Sequence, residues 1–329
     1  MSPDRAVSGT PATPVGLART PVIIDCDPGH DDAMAIALAL ASPELEVLGI
    51  TTVGGNAPLV ATTRNALRVL ALLGRPEVPV AAGAPQPLVR PLETAPQVHG
   101  LSGLDGADLP EPMTAPRPEG SLEFLRATLA AAPAPVTLIP TGPLTNIGLL
   151  LRTHPEIASK IARISLMGGA MRAGNWTPAA EFNIWVDPEA AQIVFRSGLP
   201  ITMCGLDVTH KALFGRPEIA RLDALGTRVG TVFADLLRFF VKFHIDRYGS
   251  ADTPIHDAVA VAAVSRPGMV GTQRFHVDDE AIGTLTRGRT DVDDRGQSMT
   301  GLEPNVDVAL DIDGAAFADL LIGAIASYR

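Results

Sequence analysis

Short apolar runs rich in Val, Ile and Leu alternate with helix-like segments through much of this chain, and few folds accommodate that alternation. Strand-like runs fall at 21–26, 45–53, 78–82, 136–140, 161–167 and 199–204; helix-like segments fall at 31–41, 58–73, 121–131, 143–152 and 188–197. Strands separated each time by a helix pair in parallel, with the helices covering both faces of the sheet. Pro143 and Pro188 sit where a first helical turn tolerates proline. Beyond Gly205 the pattern changes to longer helices, 216–225, 227–248 and 256–265, then a short β section over 274–285. The expected fold is therefore α/β: an open, mostly parallel, Rossmann-like sheet flanked by helices, with a helical and small β elaboration toward the C-terminus. No linker or internal repeat interrupts it, so residues 21–329 read as a single domain.

Residues 1–20 lack the apolar centre of a secretory signal and read as a disordered lead-in. No apolar run approaches the roughly 20 residues needed to cross a bilayer, so no membrane partner is expected. The net charge of -10 and the absence of Lys/Arg runs argue against a nucleic-acid surface and favour a small or neutral substrate. Cys26 and Cys204 are the only cysteines, each inside an apolar run, which fits buried free thiols in a cytoplasmic protein. Residues 83–120 are rich in Pro and Gly and lack periodicity. They read as one long loop, either a functional lid or a plain surface excursion.

The first strand-like run ends in Asp25-Cys26-Asp27-Pro28-Gly29-His30-Asp31-Asp32, four carboxylates in eight residues, directly before a helix-like segment. Acids this dense repel one another unless something positive sits among them, and a hard divalent cation takes oxygen ligands. The competing reading is a solvated acidic turn, which the apolar flanks disfavour. Strand alternation points Asp25 and Asp27 the same way, Pro28-Gly29 turns the chain, and Asp31 and Asp32 suit the positive end of the next helix.

Other polar groups follow other strands: Gly54-Gly55-Asn56 the second, Thr141-Gly142-Pro143-Leu144-Thr145-Asn146 the fourth, Met167-Gly168-Gly169 the fifth. In a parallel sheet all would gather at one carboxyl edge, where open α/β folds bind ligands. Asn175, Glu181 and Asn183 fall in a stretch read as extended. Glu181 and Asn183 would then share a face able to bond sugar hydroxyls, or the three would form a loop-stabilising network. Asp257, in Pro254-Ile255-His256-Asp257, reads alone as a helix N-cap; beside a multi-acid cation site it is also a distant ligand.

These motifs, with Pro140, Ala170 and Phe182 flanking them, resemble the inosine-uridine-preferring nucleoside hydrolases, in the family's order over about residues 21–265. The resemblance implies hydrolysis of the N-glycosidic bond of ribonucleosides with a bound calcium ion. The matching ligands are Asp27, Asp32, the main-chain carbonyl of Thr141, and Asp257. Asp27 also matches the general base. Asp31, Asn56, Met167, Asn175, Glu181 and Asn183 match ribose-binding positions, and Asp25 a supporting acid that orients its neighbours. His256 matches a histidine assigned to leaving-group activation. His99 matches one in the loop closing over the base, and the helix carrying His244 and Tyr248 matches the segment that reads it. His244 and Tyr248 are one helical turn apart. Base preference is left open by this reading. Family members being commonly dimers or tetramers, a homodimer or homotetramer is implied.

Two alternatives belong to other classes. A metal-dependent phosphohydrolase of the haloacid-dehalogenase type also begins with a strand ending in Asp-x-Asp, but that class wants Thr or Val soon after the second acid, where Pro28-Gly29 stands here. A non-catalytic nucleoside- or ribose-binding protein would bind tightly without turnover, and would not need a water activated near the anomeric carbon.

Overall fold

The computed structural model describes residues 19–295 and 301–328. Most of the expected lead-in, residues 1–18, lies outside the described residues; Thr20 already belongs to the first strand. That strand, β1 (Thr20–Cys26), is followed by β2 (Leu45–Thr52), β3 (Val80–Ala82), β4 (Val136–Pro140), β5 (Ile161–Met167) and β6 (Ile201–Cys204). Two short strands, β7 (Leu213–Phe214) and β8 (Thr253–Pro254), pair with each other, and β9 (Val270–Asp279), β10 (Thr290–Asp293) and β11 (Val306–Ile312) complete the set.

The main sheet has nine strands in the order β10-β9-β11-β6-β5-β4-β1-β2-β3. From β11 to β3 every pairing is parallel; β9 and β10 add an antiparallel edge. Central strands are apolar at nearly every position because helices cover both faces, as in β4, where all five residues are buried. Strand order reverses direction at β1: the chain builds outward through β2 and β3, then returns to β4 on the other side. That switch point opens a crevice at the carboxyl ends of β1 and β4.

The two helices that carry the outlying acids are short of bulk. Helix His30–Ala41 has Ala at positions 33, 35, 37 and 39, and helix Asp257–Ser265 is Ala- and Val-rich with all nine residues buried. Small side chains let these helices pack closely against each other. Their N-termini, bearing Asp31, Asp32 and Asp257, are thereby brought together, each acid near the positive end of a helix.

Several expected boundaries move. The β elaboration over 274–285 is in fact strand 270–279, while Ile282 and Leu285 stand exposed in the following turn. It also joins the main sheet, because β11 pairs parallel with β6 and antiparallel with β9. Pro143 lies outside the helix it was expected to open, which spans Thr145–Thr153 behind the turn from β4; Pro188 does open its helix, Pro188–Phe195. Among the described residues no helix is long and apolar enough to cross a membrane.

Candidate active site

The carboxyl ends of β1, β2, β4 and β5 converge on a cavity of about 750 Å³, walled on its far side by helix Arg228–Tyr248 and the turn Pro96–His99. Asp31, Asn56, Thr141, Met167, Asn175, Glu181, Asn183, His99, His244, Tyr248, His256 and Asp257 all line it. Asp27 and Asp32 lie fully buried behind this wall, and Asp25 deeper still.

Asp27 follows the end of β1, where the Asn56 N–H donates to Oδ2 at 2.6 Å; Oδ1 is buried without a hydrogen-bond partner. A Cβ at Gly55 or Gly142 would strike this carboxylate, so both glycines are required by close approach. Asp32 accepts from the Gly29 N–H at 2.9 Å and from the Thr141 hydroxyl at 2.8 Å. Carboxylate oxygens of Asp31, Asp32 and Asp257 come within 4.8 Å of one another. Asp27 stands beside that trio, close enough to feel the charges of Asp32 and Asp31.

Electrostatics make this arrangement unfavourable on its own. Burial, then the neighbouring acids, pushes Asp27 and Asp257 well above the usual carboxylate range; Asp31 is pushed up to about 7 by burial and the charge of Asp32. Asp32 is raised by burial against several stabilising hydrogen bonds. Four buried acids must hold protons or share a cation, and the orphaned Asp27 Oδ1 within an all-oxygen donor set fits a hard divalent ion. The cluster can therefore hold a metal. Asp25 sits apart: its Oδ1 accepts from Thr51 at 2.5 Å and Asn146 at 2.7 Å, and burial raises it to about 7.

The sugar-side residues are built differently from the expectation. Glu181 keeps the expected extended backbone, but Asn183 is already helical. Glu181 caps the short helix Phe182–Val186, accepting from the N–H groups of Asn183, Ile184 and Gly169, and burial raises it to about 7. A five-residue helix is too short to register as periodicity, which explains the misreading. Asn183 projects from the first turn and donates through Nδ2 to the carbonyls of Thr141 at 2.8 Å and Met167 at 3.2 Å. Asn175 Oδ1 accepts from the Phe182 N–H at 3.0 Å. Asn56 also reaches the Asp27 carbonyl and Asp32 through Nδ2, at 3.2 and 3.3 Å.

Histidines line the same cavity. His256 Nδ1 lies 2.8 Å from the Thr209 hydroxyl, and burial drives the ring well below its usual pKa. His244 is held by the Phe240 carbonyl at 3.1 Å and the Thr253 hydroxyl at 2.9 Å, with Tyr248 one turn on and 56% exposed at the mouth. Within 83–120 the one helical turn, Pro96–His99, points the chain back so that His99 is buried against the site. Sequence reasoning missed Thr209, His210 and Trp176, which border or support the cavity, and His30, which bonds His99. Of these, Trp176, next to Asn175, and His30, inside the acidic run, carried a signal in their positions.

An acid cluster at a topological switch point, in a cavity bordered by amide, carboxylate and imidazole groups, can hold a metal ion beside a small polar molecule. Residues 22–319 match the model of the inosine-uridine preferring nucleoside hydrolase family, and the chain belongs to that family. It is a ribonucleoside hydrolase, an enzyme of the N-glycosidase type. The pyrimidine-specific ribonucleoside hydrolase RihA of Salmonella agona is 52% identical, covering 94% of this chain and 99% of that protein. A purine-preferring ribonucleoside hydrolase from Gardnerella vaginalis superposes with a TM-score of 0.88 at 34% identity, covering 94% and 99% of the two chains. A plant nucleoside hydrolase gives a TM-score of 0.88 at 31% identity, covering 94% and 100%.

Proposed function

We propose that this enzyme hydrolyses pyrimidine ribonucleosides in a calcium-dependent reaction, releasing free base and ribose for nucleoside catabolism. The observation that carries the calcium and the mechanism is the buried carboxylate cluster with its orphaned Asp27 Oδ1 beside a cavity of donor and acceptor groups. Base preference rests on the 52% identity to a protein named as pyrimidine-specific.

Calcium, held by Asp27, Asp32, the Thr141 carbonyl and Asp257, would lower the pKa of water and orient the ribose hydroxyls. Asp27 takes the proton of the attacking water as its oxygen bonds to the anomeric carbon. The N-glycosidic bond breaks and its electron pair leaves with the base. The ribose carbon passes through an oxocarbenium-like state, whose positive charge the Asp31 and Glu181 carboxylates and the amide oxygen of Asn183 favour. Asn56, Met167 and Asn175 complete the ribose wall, and Asp25 orients Asn146 beneath it. His256, held by Thr209 and kept neutral by burial, hydrogen-bonds the departing base, while His99, His244 and Tyr248 border it.

The same reading takes residues 21–329 as one hydrolase domain, supported by the family match over 22–319. A cytoplasmic homodimer or homotetramer accompanies it, on family membership alone. The test is a panel assay for free base and ribose. Uridine and cytidine are expected to be hydrolysed with higher kcat/KM than inosine and adenosine; a purine preference would overturn the base assignment.

A further inference from the structure

Asn65 lies on helix Leu59–Leu72, buried behind the cavity rather than in it, yet it holds two parts of the site to each other. Its Nδ2 donates to the main-chain oxygen of Pro28 at 3.1 Å and to that of Ser102 at 2.8 Å. Both partners can only accept, so the nitrogen end of the amide faces them and each of its two N–H bonds meets one carbonyl. Pro28 belongs to the turn between Asp27 and Asp31, and Ser102 follows His99 by three residues. One buried amide thus joins segments that lie 37 residues from it in either direction.

The two segments differ in how else they are held. The acidic turn is fixed by the Gly29 N–H on Asp32 and by the Asn56 N–H on Asp27. The segment 99–106 is tied mainly to itself. The Asp105 carboxylate accepts the N–H groups of Leu101 and Ser102, and the Asp105 N–H reaches the His99 carbonyl at 3.2 Å. A loop closed by its own hydrogen bonds is a compact unit, and its outward ties set where it sits. Its outward polar ties are the Asn65 bond to Ser102 and the contacts of His30 with His99 and with the Asp105 oxygen. Gly103 passes so close to Asn65 that a Cβ there would lie 3.0 Å from Nδ2, and its φ of +85° favours glycine.

We infer that Asn65 is a positioning residue for the nucleobase: it latches the segment 99–106 onto the acidic turn and so sets where His99 stands relative to the acids. This rests on the functional reading above, in which His99 borders the base. The turn is the fixed member and the loop the dependent one. Loss of the amide therefore displaces His99 and leaves the acids and the ribose wall in place.

The experiment compares the wild type, Asn65→Leu, His99→Ala and the double variant. Leucine is close to asparagine in shape and removes both donors. Asn65→Leu is expected to raise KM for uridine about tenfold, the scale of one lost hydrogen bond, with a smaller change in kcat. Inhibition by free D-ribose, which carries no base, stays as in the wild type. In the His99→Ala background the same substitution adds nothing further. An unchanged KM, ribose inhibition that weakens in step with KM, or effects that multiply in the double variant overturn the inference. Should Asn65→Leu fail to fold, Gly103→Ala crowds the same amide from the loop side and is expected to give the same split between uridine and ribose. Amide hydrogen exchange with calcium present reads the latch without catalysis. In Asn65→Leu, Leu101, Ser102 and Asp105 are expected to exchange about tenfold faster or more while helix His30–Ala41 keeps its protection; unchanged exchange over 99–106 overturns the inference. If the wild type turns over no pyrimidine ribonucleoside, the functional reading itself fails, and hydrogen exchange still decides whether Asn65 holds the loop.

Discussion

The Asn183 side-chain amide donates to the main-chain oxygen of Thr141 at 2.8 Å, so a residue on a five-residue helix fixes an oxygen that follows strand β4. The proposed sugar side and the proposed cation side of the cavity are joined through that bond.

Replacing Asn183 should therefore disturb both sides together. Asn183→Ala is expected to raise KM by about tenfold for every ribonucleoside alike, and to weaken calcium binding, since each lost hydrogen bond costs about 1 kcal/mol or more. Steady-state kinetics across bases and a calcium titration check this. A loss confined to one base contradicts the placement.

His244→Ala should behave in the opposite manner. Its ring lines the cavity and is anchored by the Phe240 carbonyl and Thr253. The variant is expected to reorder kcat/KM among uridine, cytidine and inosine. Equal slowing of all three would remove His244 from base selection.

Glu181 serves the fold as well as its proposed place at the sugar. Its carboxylate accepts three main-chain N–H groups, and the amide nitrogen of a glutamine cannot accept any of them. Glu181→Gln is expected to lower stability by about 1–2 kcal/mol, as loss of a helix cap does. Thermal melting of the variant measures this, and an unchanged melting temperature would show the cap to be dispensable.

Calcium stabilisation should depend on pH with a defined sign. Asp31 is raised from 3.8 to about 7. Between those values the calcium-free folded chain holds a proton that the unfolded chain has released. This carboxyl's contribution to stability is thus complete below pH about 4 and lost as pH rises through about 7. Asp27, Asp32 and Asp257 are raised as well. Calcium displaces those protons, so its binding strengthens with rising pH. The increase in Tm on adding calcium is expected to grow from about pH 5 to about pH 8. An increment that shrinks over that range contradicts the account; chelation should abolish it and activity together.

Much of this was legible in the residues. The run from Asp25 to Asp32 sits where a strand meets a helix, and parallel alternation alone puts Asn56, Thr141 and Met167 at the same edge. What escaped were contacts between side chains distant in sequence, such as His30 with His99, because period and spacing carry no information about them. Strand β11 escaped too, and with it the joining of the C-terminal strands to the main sheet: a final strand following a hairpin does not announce its partner. Asn183 was misread in conformation but not in location: it lies in the first turn of a short helix, whereas Glu181, the cap, keeps an extended backbone.

The central claim is that Asp27 both holds the cation and takes the proton of the attacking water. Uridine hydrolysis by Asp27→Ala in excess calcium tests it most directly, with circular dichroism to establish that the variant is folded. The account predicts a fall in kcat of about a thousandfold or more. Turnover near that of the wild type would contradict it.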